Sequence, residues 1–205
     1  SSMELSRIFG IETLLNEGNA GEIWDTCNGL LQTEGFSSID LLKKFQVERL
    51  CTSDDLLANL HPHITATHLH GIQVLPSLRG DSIVETEHSE FLAWMAELSH
   101  QSGIAIDSLA SYQAAIQVKL DAFQAAGCLF ADHALDSGFA FEIQDPGTVA
   151  GIFQKHLSGG ALTPQERRAL QSDLLVFLGK EYAARNWVLQ LHIGAQRQTS
   201  SRLHR

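Results

Sequence analysis

Apolar, strand-like segments alternate with helical segments along most of this chain, and this alternation restricts the fold more than any other feature. The strand-like segments cover residues 47–52, 70–75, 128–131 and 187–191. Helical patterns cover residues 87–102, 108–126, 145–157 and 163–185. Such alternation is typical of a parallel sheet covered by helices. The sequence therefore predicts an α/β fold at residues 46–205, preceded by a helical entry segment at residues 1–45.

Side chains of the types used in catalysis follow three of the four strand-like segments. Arg79 follows the second segment, Asp132 and His133 follow the third, and His192 and Arg197 follow the last, which we expect to be a buried strand. In α/β barrels the catalytic residues lie at the C-terminal ends of the strands. These residues are therefore predicted to gather at one face of an α/β barrel.

Composition narrows the classes of protein to which the chain could belong. Its 205 residues suffice for one domain with a full core. A net charge of −10 without a basic stripe disfavours binding to nucleic acid or to an anionic membrane. No apolar run approaches the roughly 20 residues that span a bilayer. Three widely spaced cysteines without a C-x-x-C pair indicate neither a disulfide framework nor a structural zinc site, and they favour a cytoplasmic location.

Two arginines and one histidine are the strongest candidates for a site. A histidine at a strand end can transfer protons or bind a metal, so His192 is predicted to be catalytic. Arg79 and Arg197 suit a substrate that carries a carboxylate, because guanidinium binds carboxylate through two parallel hydrogen bonds. The alternative for each arginine is an ion pair with Asp132 or Asp81.

Adjacent Asp132 and His133 cannot both serve the same face. Successive side chains of a strand point to opposite sides of the sheet. We predict that Asp132 faces the site and that His133 is structural. Asp132 could orient His192 or take part in proton transfer, and the sequence does not distinguish these roles.

Four other histidines have the spacing of metal ligands but an unfavourable position. His68 and His70 precede an apolar strand-like segment, and His61 and His63 are expected to follow a short helix. The N-terminal ends of barrel strands contribute to stability rather than to catalysis. We therefore predict no metal site at these histidines.

The other notable polar and thiol side chains have structural interpretations. Asp54 and Asp55 follow a strand-like segment and precede a helical one, so they are predicted to cap that helix at its positive N-terminus. Cys128 begins an apolar strand and is predicted to be an inert core residue.

A series of short motifs resembles the uronate isomerase family of the amidohydrolase superfamily. The motifs keep the family's order and spacing over nearly the whole chain, and they are Glu22–Asn28, Cys51–Asp55, Val74–Arg79, Ala126–Cys128, Asp132–Leu135, Glu181–Ala183 and His192–Arg197. The resemblance implies part of a distorted (β/α)8 TIM-type barrel, with about four βα units and an added N-terminal helical segment. The resemblance also implies family chains about twice as long as this one, because eight βα units typically need ~250 residues or more, with insertions in addition. We therefore expect a fragment.

The resemblance also implies an activity and a cofactor. The activity is the interconversion of D-glucuronate with D-fructuronate, or of D-galacturonate with D-tagaturonate. The cofactor is a divalent metal, commonly zinc, whose main ligands are expected to lie outside this chain. The implied partners are a small sugar acid and further copies of the chain in a homo-oligomer. Two alternatives stay open: a metal-dependent hydrolase of the same superfamily, and a non-catalytic oligomerisation or interaction fragment.

Overall fold

The computed structural model describes residues 2–65, 68–85, 91–135 and 139–194. The chain divides into two compact units. The first unit comprises the chain as far as Leu50 together with His68–Gln73. The second comprises Cys51–Thr67 and the chain from Val74 onward. Among the described residues, no helix combines the length and the apolar character that crossing a membrane requires.

In the second unit, two or more helices precede each of the two six-residue strands. The helices of the described residues are α1 (Ser2–Phe9), α2 (Ala20–Leu31), α3 (Ser38–Lys44), α4 (His61–Thr65), α5 (Asp81–Val84), α6 (Phe91–Ser102), α7 (Leu109–Ala125), α8 (Pro146–Leu157) and α9 (Pro164–Ala184). The strands are β1 (Arg49–Cys51), β2 (Asp54–Asp55), β3 (His68–Leu69), β4 (Ile72–Leu75), β5 (Leu78–Arg79), β6 (Phe130–Leu135) and β7 (Val188–Ile193).

A four-stranded parallel sheet confirms the predicted fold class. Its strand order is β2-β5-β6-β7, and each neighbouring pair is parallel. The last two strands lie close to where the sequence predicted them. The first two do not, because the predicted strands at 47–52 and 70–75 coincide with β1 and β4, which are not part of this sheet. Instead, β4 pairs antiparallel with β3.

Two very short strands occupy the first two positions of the parallel sheet. β2 and β5 have two residues each, and both include charged side chains. A strand of this length has no apolar alternation that a sequence pattern could reveal. The prediction that Asp54 and Asp55 cap a helix was therefore wrong, since both residues form β2. His61 and His63 likewise lie within α4 rather than after a helix.

The predicted helix starts at residues 108, 145 and 163 are confirmed. The side chains of Ser108 and Thr163 accept hydrogen bonds from backbone N–H groups three residues later, and each forms a capping box. Asp145 accepts from the Thr148 backbone N–H, with a proline at the first helical position. The predicted start at residue 87 lies outside the described residues, and α6 is described from Phe91.

Two helices end in the same way and lead the chain into β6 and β7. At the end of α7, Gly127 has a positive φ of 88°, and the Cys128 N–H donates to the Phe123 carbonyl. At the end of α9, Asn186 has a φ of 56°, and the Trp187 N–H donates to the Tyr182 carbonyl. Both arrangements are Schellman motifs, in which glycine or asparagine adopts the left-handed conformation. Each motif turns the chain directly towards a strand that carries a predicted site residue.

The hydrophobic core lies between the parallel sheet and helices α5 to α9. It includes fully buried side chains from β5, α6, α7 and α9, namely Leu78, Leu98, Ile116, Leu120, Leu170 and Leu174. The Tyr112 hydroxyl donates to the Ile83 carbonyl at 2.9 Å, which satisfies the polar atom of a buried ring.

The last strand departs from its prediction. All six residues of β7 are exposed, although the apolar sequence indicated a buried strand. β7 pairs with β6 on one side and is the last strand of the described sheet. An apolar sequence shows that a strand can be buried, but only neighbouring elements bury it.

The turn after β5 tolerates no side chain at Gly80. A β-carbon built there would lie 2.7 Å from Nε2 and 3.1 Å from Nδ1 of His133, a ring that is fully buried. We expect Gly80→Ala to lower the free energy of unfolding by about 1–3 kcal/mol, the usual cost of overpacking a core. Gly151→Ala is the matched control, because no atom lies within 4 Å of that position in α8.

The control should raise stability by about 1 kcal/mol, since alanine favours a helix interior. Urea denaturation followed by circular dichroism measures both changes. Equal stability of Gly80→Ala and the parent would show that the His133 ring is free to move.

Candidate active site

The parallel register of β5, β6 and β7 brings three predicted site residues together. Arg79 is paired with Asp132 across β5 and β6, and His192 is paired with Ala134 across β6 and β7. Side chains two residues apart on a strand share a face. Asp132 and His192 therefore lie on the same face of the sheet, with Arg79 on the neighbouring strand.

Asp132 and His192 lie side by side on this face. Nε2 of His192 lies 3.4 Å from Oδ2 of Asp132. Asp132 is 8% exposed, whereas the His192 side chain is 59% exposed. A carboxylate beside an imidazole orients the ring. Nε2 faces Asp132, so Nδ1 is the ring nitrogen left to exchange a proton with a ligand.

Arg79 already has a carboxylate partner. Its Nε donates to Oδ2 of Asp81 at 2.8 Å, and its Nη1 lies 3.8 Å from Oδ2 of Asp132. The hydrogen bond and the charge of Asp81 raise the pKa of the Arg79 guanidinium. The ion pair predicted as an alternative is therefore present. The side chain remains 47% exposed, and guanidinium has five N–H donors, so donors are left for a ligand.

Asp81 links this arginine to the neighbouring strand. Its Oδ1 accepts a hydrogen bond of 2.7 Å from the backbone N–H of Ala134 in β6. One carboxylate thus joins the Arg79 side chain to the strand that carries Asp132. The position of Arg79 relative to Asp132 depends on this bridge.

His133 lies on the opposite face of β6 and packs beneath the site. Its side chain is fully buried, and Nε2 lies 3.0 Å from the Tyr182 hydroxyl of α9. Burial lowers the pKa of His133 to about 4, so the ring is neutral at physiological pH. Burial also raises the pKa of the Tyr182 hydroxyl. This neutral pair packs on the face of β6 that is opposite to Asp132.

A cavity of about 400 Å³ opens beside Arg79. Its walls include side chains from β2, β5, α5 and α6, among them Asp55, Arg79, Asp81, Ser82 and Trp94. Ser82 and Trp94 were not predicted from the sequence as site residues, and Asp55 was predicted to cap a helix. Asp55 belongs to the Cys51–Asp55 motif of the family resemblance, and this motif was the one sequence signal that could have pointed to Asp55 as a site residue. Ser82 and Trp94 lie on helices and have no sequence signal of their own.

The other described side chains that the sequence singled out lie elsewhere. Arg197 lies outside the described residues. His63 is buried in α4, where its Nε2 lies 2.8 Å from the Thr52 hydroxyl and 3.9 Å from Asp54. Cys128 is buried, and burial raises the pKa of its thiol to about 11. Within the described part of the chain, no group of three or more histidine, cysteine, aspartate or glutamate side chains is arranged to hold a metal ion.

A parallel sheet covered by helices, with charged side chains gathered on adjacent strands, defines an α/β protein of the kind that carries a site on its sheet. The comparison with known proteins specifies this class further. The chain belongs to the glucuronate isomerase family, because the family model of that description matches residues 1–205.

Individual relatives agree with the family assignment. A uronate isomerase of Caldanaerobacter subterraneus is 37% identical over 205 residues, which are 99% of this chain and 44% of the relative. The crystal structure of the Thermotoga maritima uronate isomerase matches with a TM-score of 0.82 and 28% identity, over 98% of this chain and 44% of that chain. The glucuronate isomerase of Caulobacter crescentus matches in fold, with a TM-score of 0.81 and 23% identity, over 98% and 42% of the two chains.

The chain therefore spans less than half the length of the relatives that it matches. The fold in common with these structures is the TIM-type barrel, of which the described parallel sheet is a part.

The buried His133 predicts a specific dependence of stability on pH. Its pKa is about 4 in the folded protein against 6.5 without burial, so the unfolded chain binds the extra proton between these values. The stabilisation is complete above pH ~6.5 and is lost as the pH falls towards 4, by up to about 1.4 kcal/mol per pH unit.

Denaturation between pH 7 and pH 4 tests this. His133→Phe keeps a ring but removes the titrating group, so the free energy of unfolding should depend less steeply on pH in the variant. Equal slopes in the two proteins would contradict the assignment.

Proposed function

We propose that this chain is part of a uronate isomerase that interconverts aldose and ketose forms of a hexuronate, such as D-glucuronate and D-fructuronate. The observation that carries the proposal is the convergence of His192, Asp132 and Arg79 on three adjacent parallel strands. The isomerase names of the relatives support it and favour neither hydrolysis nor a non-catalytic segment. D-galacturonate and D-tagaturonate are the second substrate pair proposed.

The reaction moves protons without a net change of atoms. A base removes the proton at C2 of the aldose while the C1 carbonyl oxygen gains a proton, which forms an enediol. The C2 hydroxyl then loses its proton and C1 gains one, which leaves a ketone at C2. Both transfers require a group that accepts and returns protons at nearly the same place. We assign this role to His192, with Asp132 orienting the ring.

The substrate's own carboxylate would be held by arginine. The exposed part of the Arg79 guanidinium presents N–H donors beside the acid–base pair. A fixed carboxylate orients the rest of the sugar and so positions C1 and C2 for proton transfer. Arg197 is proposed as a second carboxylate ligand on the strength of its position five residues after His192.

The resemblance to metal-dependent isomerases extends the proposal to a divalent metal, with zinc as the expected ion. Such an ion would polarise substrate oxygens. The described residues do not by themselves form a metal site, since His192 and Asp132 supply only two candidate ligands. We therefore assign no proton transfer to the ion. A cytoplasmic location, a role in glucuronate catabolism and a homo-oligomeric assembly complete the proposal.

Replacement of Arg79 tests the carboxylate contact in the complete isomerase. Arg79→Met should lower kcat/KM for the uronate at least about 30-fold, because a desolvated carboxylate loses its charged partner. This factor corresponds to a loss of about 2 kcal/mol of transition-state stabilisation. Arg185→Met is the matched control. Arg185 also forms ion pairs, with Glu181 and Asp121, but it is the C-terminal cap residue of α9 and does not line the cavity beside Arg79. Steady-state kinetics of folded variants measure the effect.

The control should reduce stability and leave kcat/KM within a few-fold of the parent. If Arg79→Met behaves in the same way as the control, Arg79 only stabilises the fold through Asp81.

Replacement of His192 tests the acid–base assignment in the same enzyme. His192→Asn should lower kcat by at least ~10²-fold, the low end of the contribution of a positioned acid or base. The comparison is the double variant His68→Asn and His70→Asn, whose residues lie outside the parallel sheet. It should keep turnover within a few-fold and retain its metal content. A normal kcat for His192→Asn, together with loss of metal from the double variant, would overturn the assignment of the catalytic face.

A further inference from the structure

The cavity beside Arg79 has a second polar wall, centred on Asp55. Asp55 is the last residue of β2, and the register pairs it with Arg79 of β5. Ser82 and Trp94, from α5 and α6, contact the Asp55 side chain across the same cavity. This wall has no role in the proton transfer or in the carboxylate contact proposed above.

Three hydrogen bonds hold the Asp55 carboxylate in place. Oδ1 accepts from the Leu57 backbone N–H at 2.9 Å and from Nε1 of Trp94 at 3.3 Å, and Oδ2 accepts from the Ser82 hydroxyl. A carboxylate has about four acceptor sites. Within the described part of the chain, one site on Oδ2 is therefore left for a ligand. The Ser82 oxygen, which uses its own proton for Asp55, keeps its lone pairs as further acceptors.

The two walls of the cavity have opposite preferences. Arg79 presents donors and positive charge, which suit a carboxylate. Asp55 and Ser82 present acceptors and negative charge, which suit the O–H groups of a ligand and repel its carboxylate. A ligand with an acid group at one end and hydroxyl groups along its chain satisfies both walls in one orientation.

We propose that Asp55 and Ser82 form a hydroxyl-binding subsite that recognises the polyhydroxylated chain of a sugar acid and sets its orientation relative to Arg79. The proposal rests on the proposed function for the placement of the substrate in this cavity. Trp94 acts as a positioning residue. Its indole N–H holds Oδ1, and its ring is fixed by stacking on Phe91 with a centroid distance of 6.3 Å.

The test compares two six-carbon acids that differ in their hydroxyl groups. D-gluconate carries hydroxyl groups along its chain and hexanoate carries none. In the complete isomerase, calorimetry should show tighter binding of D-gluconate than of hexanoate. Asp55→Asn replaces one oxygen by an N–H₂ donor of similar size. It should weaken D-gluconate binding at least tenfold, as expected for loss of a hydrogen bond to a charged acceptor. Hexanoate binding should change less than twofold.

Asp107→Asn is the matched control, because Asp107 also accepts a hydrogen bond from a serine hydroxyl but does not line the cavity. It should leave both affinities unchanged. Trp94→Phe keeps an aromatic ring and removes the N–H donor. It should weaken the binding of D-gluconate more than that of hexanoate, but by less than Asp55→Asn does.

Three results would overturn the subsite: no preference of the parent enzyme for D-gluconate, an Asp55→Asn variant with unchanged D-gluconate affinity, or equal weakening of both acids. The proposed function fails separately, if the parent enzyme does not isomerise D-glucuronate. The binding comparison needs no turnover, so the two failures are distinguishable.

Discussion

The candidate site depends above all on the parallel register between β6 and β7. This register pairs Asp132 with Gln190 and Ala134 with His192, which puts Asp132 and His192 on one face at 3.4 Å. A shift of one residue would move every side chain of β7 to the other face of the sheet. The proposed acid–base chemistry is therefore a consequence of backbone pairing and not of any local motif.

Several features behind the site hold this register. The left-handed residues Gly127 and Asn186 end α7 and α9 with the same hydrogen-bond pattern, so both strands begin at a defined point. On the helix side of β6, neutral His133 fills the space next to Gly80 and contacts Tyr182. On the other side of the turn, Asp81 connects β5 to β6. Packing and polar contacts thus restrain both faces of β6.

One arginine lies close to several carboxylates at the site. Arg79 contacts Asp81 directly and lies near Asp132, and Asp55, its neighbour on β2, lines the same cavity. An anionic ligand must therefore approach the exposed edge of the guanidinium and keep its acid group away from Asp55. A polyhydroxylated acid meets both conditions. An acid without hydroxyl groups leaves the acceptors of Asp55 and Ser82 without donors.

Local patterns were sufficient to predict the class of fold and the caps of α7, α8 and α9. These features depend on residues close together in the chain, such as Thr163 with Glu166. The patterns associated Asp132 and His192 with the last two strands, but both residues lie within β6 and β7 and do not follow them. Local patterns did not locate β2 and β5, since two-residue strands exist only through hydrogen bonds to their neighbours. The exposure of β7, the bridge from Asp81 to Ala134 and the contact of Asp55 with Trp94 depend on segments distant in sequence, so they are properties of the assembled sheet and its helices.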